Sequence, residues 1–507
     1  MSNGDNHNFL DAVCRIPASV FLILCGLCYG SIVGLFLHHI GLDNMLRDLN
    51  LDDSFYYFKI ASNMAHGEFS TFDGVNLTNG YHPLFVLMIM PVYWLFDPVP
   101  ALWAIKVIET ALLFGVFAFV ALSLRNAGLP MVYSLPLLIG FVTKYWSGME
   151  TTAHMFVLSL GLWSLTKSSG PRMLFFCVFL ALLPWVRLES ISVGYLIIGV
   201  LAVLSFFSRE LRVQRRELIK MTLVLTGSFL VYVTYNWIAF GILVPVSGLT
   251  KQQVLGPVID RMDNLINAFS QGARYVASAL LALGFWIFVI VKKQSSALWM
   301  CGLFLTACSM AAVVRVAYTG ISVHVTQGMC GWYYVPAVFS GLACVSYVLA
   351  LLHKFGAPQL ALTLLAMACM GVGFSQIQRI RGFLADQHVD WEIASYRGTI
   401  WMNDNLPGGS VIASRDSGVV GYFSDHRVIN VDGLVNSYDY LGAQKRDRRW
   451  EFLKRCKVGY YANLVRKTAG PRWTLDNASF TRIHECPIDY GDHSDWSFAV
   501  FKLDSER

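Results

Sequence analysis

Apolar positions in this chain run in long unbroken blocks, without the strict alternation of a half-exposed sheet or the one-sided stripe of a surface helix. The first block, Pro17 to Leu37, is long enough to cross a bilayer, whose hydrocarbon is about 30 Å thick and takes roughly 20 apolar residues. It lacks the short apolar core and small-residue cleavage site of a signal peptide, and so reads as a retained anchor. Ten more blocks follow at about 101–124, 129–143, 151–166, 173–186, 190–208, 221–240, 273–291, 297–315, 334–352 and 357–375. Together they predict an α-helical polytopic membrane protein with about eleven spans.

One further block, 82–96, decides the topology. It has about 15 residues, short of the roughly 17 usually needed to cross. Were it to cross, every later segment would flip, and Arg209, Arg212, Arg215, Arg216 and Lys220 would face outward. Lys and Arg are retained in cytoplasmic loops, which argues against that arrangement. Keeping 82–96 outside, as a juxtamembrane or re-entrant segment, places Arg125, Lys167, Arg172, the 209–220 cluster, Lys292, Lys293 and Lys354 all inside. The N-terminus is then cytoplasmic, and the outward loops are 38–100, 144–150, 187–189, 241–272 and 316–333. Chemistry in those loops is out of reach of ATP and nucleotide sugars.

Composition refines this picture. The chain is 55% hydrophobic and 14% charged, against about 25% charged in a soluble domain. Residues 376–507 hold 18 of the 39 Lys+Arg and 17 of the 33 Asp+Glu. That asymmetry separates a lipid-embedded body, 1–375, from an extracytoplasmic soluble domain, 376–507. In the latter, a helix near 390–405 ends at Leu406-Pro407-Gly408-Gly409, and strand-like runs follow at 410–414, 427–431, 457–461 and 497–502. With a charged helix near 438–456, this reads as a small α/β domain. Asp416 and Asp432 each follow a strand-like run beside a glycine, where α/β ligand sites gather, but where an acidic residue also makes ordinary turns. The net charge of +6, with no basic stripe interleaved with aromatics, gives no reason to expect nucleic acid. Most of the 11 cysteines lie in apolar runs, whereas Cys456 and Cys486 could pair in an oxidising compartment.

The first outward loop, 38–100, carries the densest polar chemistry. After Asp52-Asp53, the residues Tyr57, Ile60, Ala61, Met64 and Ala65 recur at helical spacing, with Lys59, Ser62 and His66 off that stripe. The pattern predicts an amphipathic helix along the membrane interface. Its acidic pair could cap the free N–H groups at the helix start. Two adjacent carboxylates can also divide the work of deprotonating and orienting a hydroxyl, or bind a divalent cation. The loop ends in Asn79-Gly80-Tyr81-His82-Pro83, polar groups on tight turns beside an aromatic, as in sugar sites or in plain turns. Glu150, Arg187, Glu189 and Lys251 sit at outward ends of spans, where ionisable residues either pair to fix helices together or bind a ligand such as a lipid-linked phosphate. Trp332, Tyr333 and Tyr334 read as an interfacial aromatic belt.

The combination DDSFYYFKIASNMAHGEFSTFDG, TNGYHPLF, SGMET, RLES and FGILVPVSGLTK, with RDSGVVGYF and VINVDGLVNS in the soluble domain, resembles the bacterial GT-C-fold membrane glycosyltransferases, and within them the arabinofuranosyltransferase-like group. The likeness runs from residue 50 to about 440. It implies transfer of a sugar from a polyprenyl-phosphate donor to a glycan, lipid or protein acceptor on the outer face of the bacterial inner membrane. A first-loop aspartate, Asp52 or Asp53, would then be the base, with the soluble domain contributing to acceptor handling. Several relatives have EGYT where this chain has NGYH, which leaves the sugar open. The rival readings are a flippase for a lipid-linked saccharide, which calls for inverted repeats and mid-bilayer charges absent from the sequence, and a non-catalytic assembly factor, which gives the acidic pair no purpose.

Overall fold

The structure is a computed structural model that describes residues 16–166, 172–207, 215–251, 258–322, 330–385, 388–489 and 494–504. Lys167, Arg209 and Arg212 of the expected cytoplasmic set lie outside the described residues. Eight described helices are long and apolar enough to cross a membrane: Ala18–His39, Pro98–Asn126, Leu188–Ser205, Arg215–Phe240, Ala273–Val291, Ser296–Ile321, Gly331–Lys354 and Pro358–Ala385. The other three expected runs form shorter helices, around Met131–Gly140, Thr151–Thr166 and Arg172–Val186. The chain is thus a multi-pass helical membrane protein. Segment 82–96 is a helix Pro83–Ile89 followed by a 3-10 turn Met90–Trp94. Pro91 stops the α-helix there, because it has no N–H to donate and its ring crowds the preceding turn.

The spans sort into centre and rim. In Ser296–Ile321 and Gly331–Lys354, 78% and 67% of the most apolar window is buried, against 17% in Arg215–Phe240 and in Pro358–Ala385. Rim helices leave Ile23, Leu24, Leu27, Leu223 and Phe374 exposed, apolar groups that a bilayer rather than water would cover.

The last long helix runs past residue 375 to Ala385 and leads into the soluble domain. There a helix Trp391–Asn405, capped by Asp390, packs against a six-stranded sheet. Its strands are β1 Val411–Ser414, β2 Arg427–Asn430, β3 Tyr460–Arg466, β4 Arg472–Leu475, β5 Ala478–Pro487 and β6 Trp496–Leu503, in the order β2-β1-β3-β6-β5-β4. The first three are mutually parallel, and the rest are antiparallel. Side chains alternate between faces along each strand. Ile412, Val428, Phe498 and Val500 join the core shared with the membrane helices, while Ala413, Ile429, Ala499 and Phe501 build a second core on the far face. The expected charged helix near 438–456 is two helices, Tyr438–Gln444 and Arg449–Arg455. Cys456 and Cys486 are both free thiols. Cys456 sits near Arg427 and Asp73, and Cys486 near Arg397, so the two lie in different surroundings and the anticipated disulfide is absent.

Helix Asp52–Ala65 forms as expected but is not a one-sided interfacial helix. Phe55 and Phe58 pack on Tyr422 of the soluble domain, and Tyr57 packs on Phe85. The helix is wedged between the membrane bundle and the soluble domain. Two glycines allow the contact. A Cβ on Gly418 would lie 2.0 Å from the backbone oxygen of Asp52, and one on Gly80 would lie 1.8 Å from that of Leu434.

Candidate active site

The two adjacent carboxylates point to different places. Asp52 turns into the soluble domain, where it accepts hydrogen bonds from the backbone N–H of Val419 at 2.9 Å and of Gly418 at 3.1 Å. Burial, reinforced by the neighbouring Asp416 and Asp53 charges and opposed by those N–H groups, pushes its carboxyl up to about 7. Asp53 is half-buried and lines a cavity of about 260 Å³. Its carboxylate makes no hydrogen bond or ion pair among the described residues. Burial holds it above the usual carboxylate range, with the Lys251 charge opposing.

Around that cavity, His82, Glu150, Arg187, Glu189 and Lys251 converge with Asp53. Arg187 uses four of its five N–H donors. It pairs with Glu150, reaches Glu189 through two bonds of 2.8 and 3.0 Å, and donates to the Trp332 carbonyl at 3.1 Å. Glu150 also accepts from the Tyr57 hydroxyl at 2.7 Å and lies 3.8 Å from His82 Nε2. Burial lowers the His82 pKa, and its buried Nδ1 has no partner. Together these groups form a largely self-bonded polar wall.

The opposite side is open. Among the described residues, Lys251 donates to the Tyr333 hydroxyl alone, at 2.9 Å. Burial alone would lower its pKa, but the neighbouring Tyr333 and Asp53 keep it above its usual value. Arg315 stacks over the rings of Tyr333 and Tyr318, at 4.6 and 5.1 Å from their centroids, and its Nε has no partner. Tyr333 thus meets three cations, Lys251, Arg315 and Arg187, the last with its guanidinium 4.9 Å from the ring centroid, and is more than the belt residue expected from sequence. Leu434 brings the soluble domain into the cavity lining, on a turn tied down by Asp432, which accepts from Leu434 N–H at 2.7 Å and from the Tyr56 hydroxyl at 2.8 Å. Asp432 is therefore both turn-former and cross-domain strut.

Two other sequence candidates lie off the cavity. Asn79 donates to Asn236 at 2.7 Å and accepts from Val246 N–H at 2.9 Å, which pins the first loop to the 241–251 segment. The Tyr81 hydroxyl meets Ser70 Oγ at 2.6 Å inside the loop. Among the described residues no group of three or more His, Cys, Asp or Glu is placed to hold a metal ion. Tyr57, Arg315 and Leu434 are lining residues that sequence reasoning missed. Arg315, a lone charge ending an apolar block, was the one with a visible signal.

All five loops expected to face outward contribute to this cavity. That convergence is what a non-crossing segment 82–96 predicts.

Residues 378–502 match a family model described only as a domain of unknown function, DUF8728. No curated protein matches. Among solved structures, the chain superposes on ArnT from Cupriavidus metallidurans bound to undecaprenyl phosphate with a TM-score of 0.56 and 11% identity, covering 96% of this chain and 98% of that one. The fold is that of ArnT. The apo form of ArnT gives a TM-score of 0.53 and 12% identity with the same coverage. The ArnT likeness spans both the helical body and the C-terminal domain, and so bears out the expected GT-C-like architecture.

Proposed function

We propose that this chain is a GT-C glycosyltransferase that moves a sugar from a polyprenyl-phosphate donor to an acceptor hydroxyl, with Asp53 as the base. The observation that carries this reading is the Asp53 carboxylate, without a hydrogen bond or ion pair among the described residues, lining one cavity with Lys251 and Arg315. In the reaction, Asp53 takes the proton of the acceptor hydroxyl as its oxygen attacks the anomeric carbon. The bond from that carbon to the phosphate oxygen breaks, and the lipid phosphate leaves with the electron pair. Lys251 and Arg315 offset the charge gathering on the phosphate. Arg187 is a positioning residue, since its donors are taken up by Glu150, Glu189 and Trp332. Asp52 docks the soluble domain. The undecaprenyl phosphate in the ArnT structure supports a lipid-phosphate donor, and the open lateral faces of the rim helices suit one that arrives within the bilayer. By the charge rule the site faces out of the cytoplasm, with the soluble domain on that side. Arabinofuranose is one donor sugar to try first, on the sequence resemblance.

The test uses purified protein in liposomes with a radiolabelled sugar on polyprenyl phosphate and a cell-envelope extract as acceptor. Label should pass to the acceptor with the wild type and not with Asp53→Asn. Label that crosses the bilayer on intact lipid, with no glycosylated product, would mark a flippase and end this proposal.

A further inference from the structure

At the end of the bundle that the charge rule places inward, a groove of about 510 Å³ runs between helices Ala273–Val291 and Gly331–Lys354. It shares no lining residue with the Asp53 cavity. Gly284, Phe288 and Lys292 line one wall at helical spacing, and Val348, Leu352 and Phe355 line the other. Each wall is therefore one face of one helix. At 1.5 Å per residue, the stretch from Gly284 to Lys292 is roughly 12 Å long, most of the roughly 15 Å depth of one leaflet. Phe288 and Phe355 meet edge-on with their ring centroids 5.5 Å apart. Gly284 gives the groove its depth, since a Cβ there would have no atom of the protein within 4 Å.

Three lysines crown the inward end of this groove. Lys292 lines it, Lys293 follows in the chain, and Lys354 ends the facing helix. Gln294 ties the two helix ends together, accepting from Lys354 Nζ at 2.8 Å and donating to the Lys292 carbonyl at 2.9 Å. Among the described residues none of the three lysines forms an ion pair, and the chain has no Asp or Glu at all between Asp263 and Asp386. The next inward cluster differs, because Arg216 and Lys220 both face Glu217, at 3.5 and 3.1 Å. Fixing the topology requires positive charge on the inward side, but neither a groove beneath that charge nor a lack of acid around it.

We propose that this groove holds an anionic phospholipid of the inward leaflet, with one acyl chain along the apolar walls and its phosphate on Lys292, Lys293 and Lys354. Basic pockets between spans at the inward side are where anionic headgroups bind. A zwitterionic lipid fills the same walls but brings its own ammonium beside three lysines. Free phosphate or a nucleotide meets the lysines but leaves the apolar walls bare. The occupant that satisfies both halves is a lipid with a net negative head. This assignment stands independently of the transferase reading above.

The test titrates the full-length protein, stripped of lipid in detergent, with phosphatidylglycerol or phosphatidylcholine and counts bound lipid by native mass spectrometry. Phosphatidylglycerol should bind more tightly by about tenfold or more, and should raise the melting temperature as its concentration rises, as a ligand of the folded state does. Lys292→Gln and Lys354→Gln should each weaken that binding about fivefold, the worth of one lysine near an anionic lipid surface. Gly284→Leu should abolish it, because the new side chain enters the groove where no atom of the protein stands. Leucine is also the better helix former, so this variant keeps the fold. Equal binding of the two lipids, or a Lys292→Gln, Lys354→Gln double variant that binds like the wild type, would overturn the proposal. So would lysine-dependent binding that survives Gly284→Leu, since the lipid would then sit on surface charge outside the groove.

Discussion

The two sides of the cavity around Asp53 are built from the same kinds of residue and differ in how far those residues bind one another. On one side Glu150, Arg187 and Tyr57 are bound to one another, and Arg187 is tied to Glu189 through one of its carboxylate oxygens. On the other, among the described residues, Asp53 makes no hydrogen bond or ion pair, Arg315 stacks on tyrosine rings with its charge acting on Glu189, and Lys251 donates to one hydroxyl. Ionisable residues at the edge of a bilayer thus serve two ends. A closed network fixes the crossings in place, whereas an open set is held ready for charge that arrives with a substrate.

That contrast is strongest if the two sides fail differently. Asp53→Asn should reduce transfer by roughly 10²- to 10⁴-fold, the usual contribution of a general base, with the melting temperature in detergent unchanged. Arg187→Ala should instead unfold the protein easily, since removing one member of a buried ionic network costs about 3–5 kcal/mol. Thermal denaturation in detergent reads this directly, and an Arg187→Ala protein as stable as the wild type but inactive would move Arg187 to the open side. Lys251→Met and Arg315→Met should each raise the KM for the lipid donor by about ten- to a hundredfold, from loss of about 1.5–3 kcal/mol of charge-assisted bonding, again with little change in melting.

The smallest effect concerns pH, and there activity and stability should move in opposite directions. Transfer needs Asp53 ionised, and its raised pKa places the acid loss of activity above the usual carboxylate range near about 4. Lys251 is held above its normal value, so no alkaline loss should appear below about pH 10. Stability behaves otherwise. The carboxyls of Asp52 and Asp432 sit at about 7 in the fold, against about 4 when unfolded. The folded state therefore binds more protons between those values, and stability is greatest below about pH 4 and is lost as the pH rises toward 7. Rates and melting points across that interval check both signs. A melting temperature that rises from pH 5 to pH 7 would remove the buried, protonated Asp52 from this account.

The apolar blocks and their charge flanks were legible because a bilayer imposes one demand on every residue of a span. So were most members of the cavity, because a charge at the end of an apolar block stands out. Asp52 and Asp53, by contrast, are chemically identical neighbours. What separates them is a pair of N–H groups more than 360 residues away, which no local pattern encodes. Tyr57 was read as part of an apolar stripe, because a helical period reports that a side chain is buried and not that its hydroxyl finds Glu150. The hairpin of β4 and β5 carries no glycine signal: Leu475 pairs with Ala478 across the two-residue turn Asp476-Asn477, with Asp476 at φ 50°, where the favoured two-residue hairpin turns place a glycine. Strand Arg472–Leu475 alternates polar and apolar residues, with Leu475 buried and Arg472 and Thr474 exposed, but at four residues it is too short to stand out.

The close approach at Gly80 and Gly418 has a consequence for how the chain can change. Its two parts are not interchangeable modules: any side chain at either position would force the soluble domain off the first loop and take Leu434 out of the cavity lining. Grafting the domain from a distant relative would succeed only if both surfaces came as a matched set. The seam, more than either half, is the inherited unit.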